Sequence, residues 1–299
     1  MQIQTSKNQR ELKTHGDFSF PCLISHERIT EYEFGTFSWH WHPEIELTLI
    51  EDGEMIYQIN GSDLHVKKGC TIFSNCNTLH SGHMIEGKTC DYWSITFDPR
   101  LIYGFENSRI QTKYVDLVVE GREFSALYFD GSEEWHHDIS SAMKKIIDYD
   151  QTRSDFYEMK IQMLLTKIWL LLLEHRASFL PDKKSLNPKS SARLKNILGF
   201  LHENYDKKIT LDDIADSVHI CKSECCRFFK KHMNESLFDY LLHYRIEQSI
   251  PYLRNPEYSI TDAAFLSGFT DPGYYSRIFH KYTGYSPRAY RNQILSLRG

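Results

Sequence analysis

The sequence predicts an α+β chain in two parts, strands first and helices after. Three observations carry this. Residues up to Phe97 alternate apolar and polar between glycine-marked turns, the spacing turns helical from Ser132, and the last hundred residues contain one helical unit twice. With 299 residues, 41% of them hydrophobic and 14% aromatic, each part is long enough to build its own core.

Met1–Gly16 is polar and charged and holds no apolar signal core. The longest apolar run, Ile168–Leu173, is far too short to span a membrane, so no membrane partner is expected. Seven cysteines form no disulfide framework, and three of them crowd into Cys221–Cys226. They read as reduced thiols of a cytoplasmic protein.

Strands are expected from about Phe18 to Phe97. Phe34–Ile50 alternates, Met55–Ile59 reads as a second short strand, and Asn60-Gly61 marks a hairpin turn. Gly53, Gly69 and Gly82 punctuate further strands, and Tyr92–Phe97 reads as the closing inner strand. Short strands at this spacing suggest a sandwich or barrel. On one strand His40, His42, Glu44 and Glu46 would share a face, since side chains alternate.

Together with His80, these residues leave three readings open. His40, His42, Glu46 and His80 can enclose a divalent transition-metal ion. The same groups, with Glu44 and Tyr92, can hydrogen-bond a small polar ligand. Or the histidines are satisfied by their neighbours in the fold. Tyr92 or Trp93 could stack on a sugar ring or belong to the core. The chain shows no nucleophilic triad and no phosphate-cradling glycine loop, so enzyme chemistry is not expected from these motifs. Arg100–Ala126 is weakly patterned, irregular with a short helix.

Ser132 can cap a helix with Glu133 and Glu134 in its first turn, and Ile139, Met143, Ile146 and Ile147 give it an apolar stripe. A stronger helix is expected over Phe156–Phe179. Ile161, Leu164, Leu165, Ile168, Leu171 and Leu172 follow helical spacing, but Met163, Trp169, Leu170 and Leu173 widen the stripe beyond one face. Such a helix buries both sides, the second in the chain's own core or against a second copy. Pro181–Ser191 is polar, basic and bracketed by prolines, and reads as an extended linker.

The repeat follows. Arg227 falls on Arg277, Phe229 on Phe279, Ser236 on Ser286 and Tyr240 on Tyr290 at an offset of 50; upstream, Leu211 on Ile260, Ala215 on Ala264 and Ile220 on Phe269 at 49. One extra residue therefore enters the second copy near Thr270–Pro272. Each copy opens on a capped short helix, with Thr210 as N-cap in the first. A turn follows, then a second helix carrying Phe228, Phe229, Arg227, Lys230 and Lys231 over Glu224–His232 in the first copy. Gly268 permits a positive φ in the second turn, and Asp271-Pro272 starts the helix after it. Phe238–Leu253 would link the copies, with Pro251 expected to kink or end it. Two short helices with a tight turn read as a helix-turn-helix, whose second helix fits the DNA major groove. From Ser190 onward Lys and Arg number 15 against 12 Asp and Glu, net +3; before it they number 20 against 28, net −8. A basic part beside an acidic one suits a DNA-binding module tethered to something else.

Gly268–Arg291 (GFTDPGYYSRIFHKYTGYSPRAYR) closely resembles the C-terminal signature of AraC/XylS-type transcription regulators. The resemblance covers roughly Leu194–Asn292 and both copies. It implies a double helix-turn-helix domain in which Lys222, Ser223, Cys226 and Arg227 face DNA in the first copy, and Asp271, Gly273, Ser276 and Arg277 in the second. Cys221 stands where the family usually has a serine N-cap, and Glu224, Cys225 and Cys226 replace aromatic and small polar residues. Upstream, His40-x-His42-x3-Glu46 with Gly53, and Gly69 followed by Asn75, Asn77 and His80, resemble the two cupin motifs, with the asparagines in place of Pro and Gly. AraC-type regulators often carry such a cupin-like sensor.

The resemblance therefore implies a cupin-like effector-binding domain at 1–126, a helical dimerisation and coupling segment at 127–180, a linker at 181–191 and a DNA-binding domain at 192–299. The expected partners are double-stranded DNA, a small-molecule effector such as a sugar, a second copy through the 156–179 helix, and RNA polymerase. A metal-sensing regulator and a metal-dependent cupin enzyme, both using His40, His42, Glu46 and His80, are the alternatives.

Overall fold

A computed structural model describes residues 2–59, 62–120, 125–178 and 188–296. They fall into two compact units, Met1–Asn187 and Pro188–Gly299. Among the described residues no helix is long and apolar enough to cross a membrane.

The first unit holds strands β1 (Cys22–Arg28), β2 (Thr36–His40), β3 (Ile45–Ile59), β4 (Ser62–Lys67), β5 (Thr71–Ser74), β6 (His80–Met84) and β7 (Cys90–Phe97). After β7 come the short helices α1 (Arg100–Tyr103) and α2 (Asp116–Val119), then β8 (Ala126–Phe129), α3 (Glu134–Thr152) and α4 (Tyr157–Glu174). All strand pairs are antiparallel. The long strand β3 is used twice. Its first half lies between β7 and β5, and from Glu54 it pairs with β4 and β6. The register shifts between Ile50 and Asp52, and Gly53 follows at φ 77°, where a Cβ would strike the Thr89 carbonyl. A bulge with a left-handed glycine is how one strand bends from one sheet into another.

Several expectations need correcting here. The residues His40 to Glu46 do not lie on one strand. The strand ends at His40, and Pro43 has no N–H to offer a ladder, so β3 begins only at Ile45. Phe34 is not strand but sits at φ 57° in a short helical turn. Met55–Ile59 is the far half of β3, not a separate strand. Tyr92–Phe97 belongs to a strand between β1 and β3 rather than at a closing edge. The Asn60-Gly61 turn lies outside the described residues. Ser132 does not cap α3: the N-cap is Glu133, without a side-chain bond, and Ser132 instead donates its own N–H to Asp130. The second helix stops at Glu174, short of Phe179, which lies outside the described residues. Of the linker, 181–187 is outside them too, while 188–191 already belongs to a helix.

Strand alternation sorts the side chains into two layers. Ile45, Leu47, Leu49, Ile95 and Phe97 face α3 and α4 and pack on Ile139, Met143, Ile146, Ile161, Leu165 and Ile168. Glu46, Thr48, Tyr92, Ser94 and Thr96 alternate with them and point the other way. On that side Ile29, Tyr32, Phe37, Met55, Tyr57 and Ile72 form a second core. Polar groups therefore line the space between the sheets because of the pleat.

The second unit is α5 (Pro188–Asn204), α6 (Leu211–Ser217), α7 (Lys222–Met233), α8 (Leu237–Arg254), α9 (Ile260–Leu266), α10 (Pro272–Thr283) and α11 (Pro287–Ser296). The repeat is visible in the caps. Thr210 and Ser259 each close a full capping box with Asp213 and Asp262. The helices α7 and α10 end on left-handed Asn234 and Gly284. Ala215 and Ala264 are both buried, and so are Phe229 and Phe279, at matching positions of the two copies. Pro251 does not end the linking helix, which runs on to Arg254. Placed so near the C-terminus, it removes one helical hydrogen bond and leaves the apolar face of Ile246, Ile250 and Leu253 buried.

Candidate functional site

In the first unit a cavity of about 450 Å³ opens between the sheets. Tyr32, Phe37 and Tyr92 give it aromatic walls, and Ser25, Glu27, Glu46, Ser94 and Thr96 give it polar ones. The remaining wall comes from the N-terminus, through Gln2, Glu11 and His15. That segment is tied down by main-chain bonds. Trp41 N–H donates to the Gln9 carbonyl at 3.0 Å and Glu11 N–H to the Trp41 carbonyl at 2.9 Å. The Trp41 indole N–H donates to the Asn8 carbonyl at 2.7 Å.

At the back wall of the cavity four side chains from three strands and a loop converge. His40 ends β2, His42 follows in the loop, Glu46 lies on β3 and His80 opens β6. One donor atom of each lies within 4.8 Å of all the others. His42 Nε2 is 3.2 Å and His80 Nε2 3.8 Å from the same Oε2 of Glu46. The other oxygen of Glu46 accepts from the Thr48 hydroxyl at 2.8 Å. Asn77, where a glycine was expected, takes φ 59° and donates its N–H to the His42 carbonyl. Asparagine tolerates that conformation, so the turn survives the exchange.

Of the expected ligand residues, His40, Glu46 and Tyr92 line the cavity, while His42 and His80 stand behind it. Glu44 does not line the cavity but lies beside the cluster, with Oε2 3.7 Å from His42 Nδ1. Its carboxylate meets His15 at 3.3 Å, and His15 also meets Glu11 at 3.2 Å. Glu11 and His15 are site residues that sequence reasoning missed. Trp93 faces the helix side and stacks on His26 at 4.6 Å, so Tyr92 alone of that pair reaches the cavity.

Burial and charge pull these groups in opposite directions. Burial drives the His40 ring down to about 3. Burial also opposes charge on Glu46, but His42 and His80 outweigh it and hold the carboxyl well below its usual range. For His15 burial is outweighed by Glu11 and Glu44, which raise it to about 9. The donor set, three imidazoles and one carboxylate without thiolate, is chemically suited to a divalent transition ion.

In the second unit the side chains expected to meet DNA reach solvent. Lys222, Ser223, Cys226 and Arg227 are exposed at the start of α7, as are Asp271, Gly273 and Arg277 around α10; Ser276 is partly buried. Lys222 pairs with Asp212 at 2.9 Å. The Asp271 carboxylate accepts from the N–H groups of Gly273 and Tyr274, a true N-cap. Cys221 at the same point of the first copy makes no such cap bond, although its sulfur lies 3.3 Å from the Ser223 hydroxyl. The Arg277 guanidinium lies 5.6 Å from the centre of the Tyr274 ring. All seven cysteines are free thiols.

Comparison with known proteins adds the following. Residues 28–136 match the AraC-like ligand binding domain, and residues 214–293 match a helix-turn-helix domain. The chain is 30% identical over 285 residues to the HTH-type transcriptional regulator YdeC of Bacillus subtilis, covering 95% of this chain and 96% of that one. It is 25% identical over 256 residues to the melibiose operon regulatory protein of Escherichia coli K12, covering 84% and 82%. Among solved structures, an apo ToxT variant from Vibrio cholerae aligns over 94% of this chain and 99% of its own, with 13% identity and a TM-score of 0.42.

Proposed function

The chain belongs to the AraC-type transcription regulators with an N-terminal sensor domain, and from that premise we propose that a small polar effector in the 450 Å³ cavity changes how the two helix-turn-helix copies are presented to DNA. The observation that carries this reading is the cavity itself. It has the size of a small-molecule site, and its walls alternate aromatic faces with convergent polar groups. Tyr92, Tyr32 and Phe37 offer surfaces for a sugar ring, and Glu11, Glu27, Ser94 and Thr96 offer hydrogen bonds to its hydroxyls. The similarity to a melibiose operon regulator supports the same class of effector.

In this reading the sensor is a cupin-like domain running through β8, with α3 and α4 as coupling helices, a linker at 181–187 and the DNA reader from Pro188 onward. Lys222, Ser223, Cys226 and Arg227, then Asp271, Gly273, Ser276 and Arg277, meet successive major-groove segments. The exposed face of α4, with Met159, Met163 and Leu170, pairs with its copy in a second chain. RNA polymerase is the natural further partner of such a complex. The effector acts only through its different affinity for two arrangements of sensor and reader.

The test is a thermal-shift screen of sugars and glycosides on the full chain, followed by fluorescence anisotropy on its operator. A ligand stabilises the state it binds, so a true effector raises the melting temperature and also alters DNA affinity or half-site spacing. A compound that binds the cavity and leaves both DNA properties unchanged would end the coupling idea.

A further inference from the structure

We propose that Arg245 of the linking helix α8 is a positioning residue that keys the two helix-turn-helix copies to each other and so fixes the separation of the two DNA segments they read. The proposal rests on reading α7 and α10 as the groove-entering helices, and it names what sets their register.

The key starts at the end of α5. That helix stops at Asn204, so Tyr205 and Lys207 carry carbonyls just beyond its last turn. A helix C-terminus leaves acceptors unsatisfied and carries a partial negative charge. Arg245 meets both needs from α8. Its Nε donates to the Tyr205 carbonyl at 2.6 Å and its Nη2 to the Lys207 carbonyl at 2.7 Å. Such bonds are charge-assisted, and the planar guanidinium fork holds two acceptors in one fixed geometry, which an ammonium does not.

The second copy is seated on the same spot. Its turn brings Gly268 so near that a Cβ there would stand 2.3 Å from the Tyr205 oxygen and 2.9 Å from Arg245 Nε. Glycine permits that approach of two backbones. Phe269 follows, buried, with its ring centre 5.9 Å from the Arg245 guanidinium carbon. The same ring lies 6.2 Å from that of Tyr274, and Tyr274 lies 5.6 Å from the guanidinium of Arg277. Contacts therefore run from the entry of the first copy, through Arg245, to the exposed arginine of α10. At the matching point of the first copy His219 is exposed. Glycine stands where the turn is docked, and histidine where it is open.

Other contacts hold each copy on α8 separately. Phe229 of α7 meets the Tyr240 ring at 5.6 Å, and the Tyr275 hydroxyl of α10 donates to Ser249 Oγ at 3.0 Å. These attach a copy to the linking helix. The Arg245 fork joins copy to copy. Without it each copy keeps its own core, and the angle between them is free to vary. A rigid joint strengthens binding only to a target whose two sites match its geometry.

The experiment uses the full chain and a random pool of DNA duplexes, from which bound sequences are selected and read. The wild type should select two sequence blocks at a single separation of about one helical turn. Arg227→Ala and Arg277→Ala should each erase one block. Arg245→Met should keep both blocks and the wild-type circular dichroism, yet accept several separations. One base pair inserted between the blocks should weaken the wild type roughly tenfold or more, and Arg245→Met by less than about threefold. A merely structural role would lower stability and leave the chosen separation unchanged. Should Arg245→Met fail to fold, Arg245→Lys takes its place, since it keeps the charge and lacks the fork. A folded variant that selects the single wild-type separation, and loses as much on insertion, overturns the key and leaves the two reading helices standing. A wild type that selects no more than one block, or two blocks that neither Ala variant erases, overturns the reading of α7 and α10 and this proposal with it.

Discussion

His219 and Gly268 hold the same point of the two helix-turn-helix copies, 49 residues apart, and both take left-handed backbone, with φ 55° and 86°. The turn demands this conformation, and the two copies meet the demand with different residues. Left-handed backbone costs a non-glycine residue about 1–2 kcal/mol, while glycine loses about 0.5–1 kcal/mol of extra entropy. His219→Gly should therefore stabilise the second unit by only about 0.5 kcal/mol. Gly268→Ala should destabilise it by ~2 kcal/mol or more, because strain adds to a Cβ driven into the Tyr205 carbonyl. Urea denaturation followed at 222 nm reads both, and equal effects at the two sites would refute the difference.

Arg227 and Arg277 stand 50 residues apart, both exposed on the second helix of their copy. If each reads a base, replacing it with Ala should cost about 1–3 kcal/mol and relax preference at one position of the operator. Tyr274→Leu should cost less, about 0.5–1 kcal/mol, by removing the ring that lies 5.6 Å from the Arg277 guanidinium. Anisotropy on operator variants separates the cases, since a loss equal on all sequences marks a phosphate contact instead.

The second unit was readable because its signals are local. Caps, turns and helical stripes act over three to seven residues, so Thr210, Asp271 and Gly268 announce their roles in the chain itself. Helix ends were read less well: α4 stops at Glu174, where the apolar run gives way to Glu174-His175-Arg176, although the helix was expected to reach Phe179. The convergence of His40, His42, Glu46 and His80 was legible as a motif even though the assumed single strand is broken at Pro43. Glu11 and His15 were not. They sit in a polar stretch without periodicity, and only pairing with Trp41, across some 30 residues, brings them to the site. Nor does any residue of β3 declare that one strand serves two sheets; that depends on the partners it finds.

On α4 the apolar residues divide by exposure. Ile161, Leu164, Leu165, Ile168, Trp169 and Leu172 are buried in the unit, while Met159, Met163 and Leu170 lie exposed on another face. Leu170→Glu and Met163→Glu should turn a dimer into a monomer and change the melting free energy by no more than about 0.5 kcal/mol. Leu165→Ala should instead cost about 2–5 kcal/mol through a core cavity. Sedimentation velocity decides the matter, and a wild-type chain that is monomeric at high micromolar concentration would remove this face as a dimer contact.

Glu235 follows the left-handed Asn234 at the end of α7, and burial, reinforced by Asp239 and Glu247, raises its carboxyl to about 8. The folded state thus prefers the neutral form. The sign follows from linkage: a carboxyl whose folded value exceeds its unfolded 4.5 binds more protons when folded. Its stabilising effect is present in full below the unfolded value and is lost as pH rises through about 8. The whole shift would correspond to about 5 kcal/mol, and partial exposure of the side chain reduces that to about 1–2 kcal/mol. Glu235→Gln keeps the neutral shape at every pH. It should match the wild type near pH 5 and exceed it by about 1–2 kcal/mol at pH 9. Urea melts of both chains at the two values, compared as a difference so that other titrating groups cancel, test this. A gap that stays constant with pH would show that the Glu235 carboxyl ionises freely in the folded chain.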